Sequence, residues 1–80
     1  MRVFIENTIG TGAVIELEVD PDDDMGSIKE IVCENQGLDT QQSMLVFKGK
    51  QLEDGSTVAE SGITEGDRIA LMATGIRGGR

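Results

Sequence analysis

The 80-residue sequence has no histidine, tryptophan or tyrosine, and it has a single cysteine, Cys33. Without histidine, the chain lacks the commonest general base and the commonest neutral metal ligand. One cysteine cannot form an intramolecular disulfide, and no histidine is present to activate it as a nucleophile. We therefore interpret Cys33 as a small, semi-buried helix residue, and we expect a protein that is not an enzyme and has no cofactor or metal.

The sequence also lacks long apolar runs, and its N-terminus has no apolar segment of signal-peptide length. We therefore expect a cytoplasmic protein, which would also be nuclear in a eukaryote. The net charge of −8 argues against nucleic acid and anionic membranes as partners. A chain of this length makes one domain, which we expect to be monomeric. We place the domain at residues 1–73 and a flexible tail at 74–80.

Alternating apolar and polar residues predict two strands near the N-terminus, in "MRVFIEN" and "VIELEVD". Phe4 falls on the polar side of the first strand and is predicted to be exposed. Gly10 and Gly12, between the two strands, can adopt positive φ, so the pair is predicted to be an antiparallel hairpin.

The segment "DPDDDMGSIKEIVCENQG" has the start and stop signals of a helix. Asp24 is the predicted N-cap, and Gly37 is placed to end the helix in the left-handed conformation, with Leu38 packing after it. Residues at helical spacing predict one apolar stripe, formed by Met25, Ile28, Ile31 and Val32.

The remaining segments predict three short strands. "SMLVF" is a strand, "KGK" a turn, "QLEDG" a brief strand and turn, "TVAESGI" a loop or single helical turn, and "RIALMA" the last strand. The order β-β-α-β-β-β is typical of an α+β roll, in which a sheet packs on one helix. The predicted core face of the sheet carries Val3, Ile5, Ile15, Leu17, Leu45, Ile69 and Leu71.

Two motifs suggest a ligand site and fail on closer inspection. The run Asp20 to Asp24 resembles the start of an EF-hand calcium loop, but Met25 stands at the glycine position and Ile31 at the glutamate position. A helix N-terminus explains these acids more simply. The Gly10-Thr11-Gly12 segment is too short for a phosphate-binding loop and opens a strand.

One seven-residue segment is highly specific for a family: "GKQLEDG", Gly49 to Gly55, is identical to a segment of ubiquitin. "MRVFIEN", "LEVDP", "LVFKGKQLEDGSTVAESGI" and "IRGG" also match in order and spacing along essentially the whole chain. The sequence thus resembles the ubiquitin family, and the resemblance implies the β-grasp fold, a mixed sheet packed on one helix.

The resemblance implies a protein modifier that is trimmed to a C-terminal diglycine, Gly78-Gly79, and joined through that end to lysines of target proteins. Arg80 is then a one-residue extension removed after Gly79. The implied partners are activating, conjugating and ligase enzymes, a trimming and deconjugating protease, and ubiquitin-binding receptors. Two alternatives stay open: a β-grasp sulfur carrier that ends in a thiocarboxylate, and a ubiquitin-like binding domain that is not conjugated.

The resemblance also implies a receptor-binding patch and linkage sites. The patch positions are Ile9 (or Thr8, because the hairpin has a two-residue insertion), Val46, Ala70 and Met72. Ala70 stands in place of the family's histidine, and Met44 and a position among Thr74 and Gly75 stand in place of arginines. Only three lysines are present. Lys50 matches the residue most used for chains, Lys29 matches a helix lysine with a packed stem, and Lys48 is interpreted as a solubilising residue.

Overall fold

The computed structural model describes residues 1–9 and 12–74 of the chain. Its elements are β1 (Arg2–Asn7), β2 (Val14–Glu18), α1 (Met25–Gln36), a 3₁₀ turn (Thr40–Gln42), β3 (Ser43–Phe47), β4 (Lys50–Gln51) and β5 (Arg68–Ala73). The predicted order β-β-α-β-β-β and the α+β class are confirmed. The 3₁₀ turn was not predicted.

The five strands form one mixed sheet in the order β2-β1-β5-β3-β4. The first and last strands, β1 and β5, are parallel neighbours at its centre, and the other pairs are antiparallel. Gly12 has a φ of 74°, as predicted for the β1–β2 hairpin, whereas Gly10 lies outside the described residues.

The core lies between α1 and one face of this sheet. Val3, Ile5, Leu45, Ile69 and Leu71 are at most 1% exposed, in agreement with the predicted core face. The other two predicted members, Ile15 and Leu17, are half-buried and pack against this core. Their strand β2 is an edge strand, which explains the partial exposure.

The apolar stripe of α1 differs from the prediction at one position. Ile31 is 53% exposed, while Cys33 is completely buried beside Met25, Ile28 and Val32. At about 3.6 residues per turn, the third, seventh and eighth residues after Met25 share its face, and the sixth does not. The prediction that Ile31 faces the core and that Cys33 is only semi-buried was therefore wrong.

Both ends of α1 are as predicted. Asp24 is the N-cap: its carboxylate accepts hydrogen bonds from the Ser27 N–H at 3.2 Å and the Ser27 hydroxyl at 2.7 Å. These hydrogen bonds hold the pKa of Asp24 below its ordinary value. Gly37 has a φ of 71°, and the following Leu38 N–H donates to the Cys33 carbonyl at 2.8 Å. Leu38 packs against the core, as expected after a left-handed cap.

The β3–β4 connection is a two-residue turn. Phe47 pairs with Lys50, and both intervening residues have positive φ, 53° at Lys48 and 79° at Gly49. Positive φ at both positions is typical of a type I′ hairpin turn. Lys50 therefore begins β4 and does not lie in the turn, which corrects the prediction for "KGK".

Candidate functional site

The sheet face opposite α1 carries an apolar surface on β3 and β5. Val46 is the cross-strand partner of Ala70, and Met44 is the partner of Met72. Met72 is 36% exposed and the other three are half-buried. Residues two apart on a strand point to the same face, so these four form one surface, called the apolar patch below.

The structure brings together three of the four predicted patch residues. Ile9 differs: it follows β1, is half-buried and packs against the core, and its N–H donates to the Asn7 side-chain oxygen at 2.9 Å. Sequence reasoning missed Met44 as a member of the patch. The signal was present, because Met44 lies two residues before Val46 on the same strand.

The β1–β2 side of this open face is charged. Arg2 forms an ion pair with Glu16, and Arg68 approaches Glu6 at 3.9 Å. Phe4 lies beside Glu16 and Arg68 in register. Phe4 is half-buried, so the prediction of an exposed side chain was wrong; long charged neighbours can cover an aromatic ring with their stems.

The three lysines occupy different environments. The Lys29 side chain is only 13% exposed, and its ammonium contacts both carboxylate oxygens of Asp54, at 3.0 and 3.2 Å. Lys48, in the β3–β4 turn, and Lys50, at the start of β4, are both exposed. The Lys29 ammonium is therefore held in an ion pair, whereas the Lys48 and Lys50 side chains are accessible.

The N-terminal amine is also held by neighbouring groups. It donates to the Val19 carbonyl at 2.6 Å and forms an ion pair with Glu18 at 2.9 Å. The hydrogen bond that the amine donates to Glu18 raises the pKa of the amine, and the same contact lowers the pKa of Glu18. A protonated, hydrogen-bonded amine is a poor nucleophile, so this group is ill-suited to accept an acyl group.

The acidic run before α1 has a structural role. The Asp20 N–H donates to the Asp23 carboxylate at 2.9 Å, the Asp23 N–H donates to the Asp20 carbonyl at 3.0 Å, and Asp24 caps the helix. Within residues 1–9 and 12–74, no three acidic, cysteine or histidine side chains are grouped so as to hold a metal ion.

Thr74, the residue after β5, contacts the 3₁₀ turn: its N–H donates to the Gln42 carbonyl at 3.0 Å. The predicted conjugation and processing residues Gly78, Gly79 and Arg80 lie outside the described residues. In the described part of the chain, no helix has both the length and the apolar character needed to cross a membrane.

A mixed five-stranded sheet packed on one helix, with its first and last strands parallel at the centre, defines a β-grasp protein. The ubiquitin family model matches residues 3–75 of the chain. The chain is 41% identical to Ubiquitin-like protein 1 of Schizosaccharomyces pombe, over 86% of this chain and 87% of that protein. It is 39% identical to the ubiquitin-like protein NEDD8 of Dictyostelium discoideum, over 86% and 88% respectively.

The fold is also similar to the solved structure of Caldiarchaeum subterraneum ubiquitin. The TM-score is 0.85, the sequences are 31% identical, and the match covers 98% of each chain. The chain therefore belongs to the ubiquitin family.

Proposed function

We propose that this chain is a protein modifier, joined through the carboxylate of Gly79 to lysine amines of other proteins. The observation that carries the proposal is the ubiquitin-family match over residues 3–75, followed in the sequence by the diglycine at residues 78–79. The similarity to proteins named NEDD8 and ubiquitin supports the same assignment. A modifier of this kind is a substrate of enzymes and has no active site of its own.

The first step is hydrolysis of the peptide bond between Gly79 and Arg80 by a trimming protease. Water supplies the hydroxyl that completes the Gly79 carboxyl group, and arginine leaves. Glycines at the two positions before the cleaved bond suit a narrow protease channel, because residues without Cβ atoms can pass through it and present the carbonyl.

Conjugation then proceeds by acyl transfer. The Gly79 carboxylate attacks the α-phosphate of ATP in an activating enzyme, releasing pyrophosphate and forming an acyl-adenylate. An enzyme thiolate displaces AMP to form a thioester, and a target lysine amine displaces the thiol to form an isopeptide bond. Each step transfers the Gly79 acyl group, so the β-grasp domain serves for recognition.

Two surfaces support roles in recognition and linkage. The apolar patch is the proposed receptor-binding surface, because grouped exposed apolar residues commonly mark interaction sites. Lys50 is the proposed linkage residue for chains, with Lys48 as its competitor, since Lys29 is paired with Asp54. We further propose that the protein acts in the cytoplasm, and also in the nucleus of a eukaryotic host.

The processing step is tested by incubating the full chain with a cognate trimming protease and weighing the product. The proposal predicts loss of Arg80 alone. A product that keeps Arg80, or one cut before Gly78, would refute it.

Gly79→Ala should block thioester formation with the activating enzyme, while its unfolding transition remains that of the unchanged protein.

A further inference from the structure

Most positive charges in the described residues are already paired. Arg2, Lys29 and Arg68 face Glu16, Asp54 and Glu6, and the N-terminal amine faces Glu18. The two remaining cations of residues 1–9 and 12–74 are Lys48 and Lys50, and neither has a carboxylate at ion-pair distance there. The net charge of the protein is −8, and in the part of the chain that the structure describes the two unpaired ammonium groups lie on one hairpin.

Both lysines line the same surface cleft. Its volume is about 320 Å³, and its other lining residues are Phe47, Leu52, Ser61 and Gly62. Phe47 and Leu52 are 7% and 8% exposed, so they give the cleft an apolar base. The remaining side comes from the turn that carries Ser61, whose N–H donates to the Thr57 carbonyl at 3.0 Å.

The two ammonium groups are available to a ligand. The Lys48 nitrogen lies 5.2 Å from the centroid of the Phe47 ring, at the distance of a cation–π contact. Asp67 accepts hydrogen bonds from the Thr64 N–H and hydroxyl at 2.8 and 3.0 Å, which lower its pKa. The charge of Lys48 also lowers the pKa of Asp67, but the two groups are beyond ion-pair distance. The lysines therefore keep hydrogen-bond donors for an incoming anion.

A smaller cleft of about 130 Å³ adjoins this one and restricts where the anion can bind. It shares Lys50, Leu52 and Ser61 with the larger cleft and adds Glu53 and Glu60 to its lining. These two carboxylates repel an anion from that side, so a negative group is favoured only at the Lys48 side of Lys50.

We propose that the cleft between Lys48 and Lys50 binds a glutamate or aspartate side chain of a partner protein, with an apolar residue of the same segment resting on Phe47 and Leu52. Charge complementarity favours this occupant, because the two lysines attract one carboxylate while the rest of the acidic surface repels a segment with many acids. The proposal does not depend on conjugation through Gly79, because the cleft lies entirely within residues 47–62.

Other occupants fit less well. A second copy of the chain carries the same net charge of −8, so long-range repulsion opposes its approach. A nucleic acid presents many phosphates at once, and the 15 acidic residues of the chain would face them. A protein segment with one or two acids beside an apolar residue avoids both penalties.

The test uses a fluorescein-labelled peptide of alternating leucine and glutamate, and a matched peptide with glutamine in place of glutamate. Binding to the full protein is followed by fluorescence anisotropy and by amide chemical shifts. The glutamate peptide should shift amides of residues 47–52 and 61–62 and should bind about tenfold more tightly than the glutamine peptide. Its affinity should fall as salt is added.

Three variants locate the contact. The double variant Lys48→Gln/Lys50→Gln should lose about tenfold in affinity, whereas Arg2→Gln/Arg68→Gln, with the same change in net charge, should bind as the parent does. Ser61→Leu narrows the cleft without changing charge and should also weaken binding. If it fails to fold, the paired double variants still decide.

Equal affinity for the two peptides, equal loss in the two double variants, or amide shifts outside the cleft would each overturn the proposal. Lysine-dependent dimerisation of the protein alone in sedimentation velocity would identify a second copy as the occupant and would also overturn it. Trimming at Gly79 can fail without affecting any of these measurements.

Discussion

Leu45 and Val46 are neighbours in β3 whose side chains lie on opposite faces of the sheet. Leu45 is 1% exposed in the core, and Val46 is half-buried in the apolar patch. Leu45→Ala should lower the free energy of unfolding by about 2–5 kcal/mol, because it leaves a cavity in the core. Val46→Ala should cost a small part of that and should weaken receptor binding. Urea denaturation of the two variants checks the difference, and equal losses would mean that the strand register is wrong.

Lys48 has a backbone conformation that other residue types adopt more readily. Its φ of 53° is the one positive value at a non-glycine position in the described residues. The left-handed conformation costs a residue with a Cβ about 1–2 kcal/mol, and asparagine tolerates it better. The cation–π contact with Phe47 offsets about 0.5–1 kcal/mol of this at an exposed site.

Lys48→Asn should therefore raise the free energy of unfolding by up to about 1 kcal/mol. Lys50→Asn is the matched control: it removes the same charge from a strand residue and should bring no gain. Denaturation of both variants in the same buffer compares them. A loss in Lys48→Asn would mean that the contact with Phe47 outweighs the backbone strain.

At the scale of the residue, the sequence predicted most of the core positions in the strands, although it missed Phe47 at the end of β3. Val3, Ile5, Leu45, Ile69 and Leu71 follow strict alternation, and all are buried. Errors arose where the periodicity is ambiguous. Ile31 was counted in the apolar stripe at helical spacing, although the helical period places the smaller Cys33 on the face of Met25.

At the scale of the element, α1 depends on its cap. The hydrogen bonds from Ser27 hold the pKa of Asp24 below its ordinary value, so the ionised form stabilises the folded state. This stability is fully present above the unfolded pKa, and it is lost as the pH falls through the lower folded pKa.

Asp24→Ala should lower the melting temperature at neutral pH, and the deficit should shrink on acidification because the parent protein then loses its charged cap. Asp24→Asn keeps a capping oxygen and should retain much of the stability with a weaker pH dependence. Asp22→Ala is the control for general loss of negative charge. A deficit in Asp24→Ala that is unchanged in acid would contradict this role.

Element boundaries were predictable where the chain has chemical stop signals, as at Asp24 and Gly37. They were not predictable for β4, because a strand of two residues has no periodicity to detect. Lys50 was therefore assigned to the turn. The apolar patch shows the same dependence: its residues all lie on β3 and β5, whereas Ile9, the predicted member that lies apart from the patch, follows the end of β1.

At the scale of the whole molecule, ionisable groups limit stability on both sides of neutral pH. Glu18, Asp24 and Asp67 have lowered pKa values, so their contributions are lost as acid protonates them. The Met1 amine has a raised pKa, owing first to its hydrogen bond with Glu18. Its contribution is full below its ordinary value of 8.0 and is lost as the pH rises through the folded pKa.

The melting temperature should therefore be greatest between about pH 5 and pH 8. In Glu18→Gln the alkaline decline should become shallower, because the amine loses its charged partner. Glu34→Gln removes a charge from exposed helix surface and should leave that decline unchanged. Differential scanning calorimetry across the pH range checks this, and parallel alkaline declines in all three proteins would contradict the assignment.

The central claim, that Gly79 becomes joined to lysines of other proteins, is most directly tested by mass spectrometry of cellular proteins digested after lysine. Lys50 is the last lysine of the chain, so such digestion leaves residues 51–79 attached to the modified lysine as a branch specific to this protein. We predict branched peptides that end at Gly79, lack Arg80, and disappear in cells that express Gly79→Ala. Recovery of the protein only in unconjugated form, with Arg80 retained or with sulfur at the Gly79 carboxyl, would contradict the account.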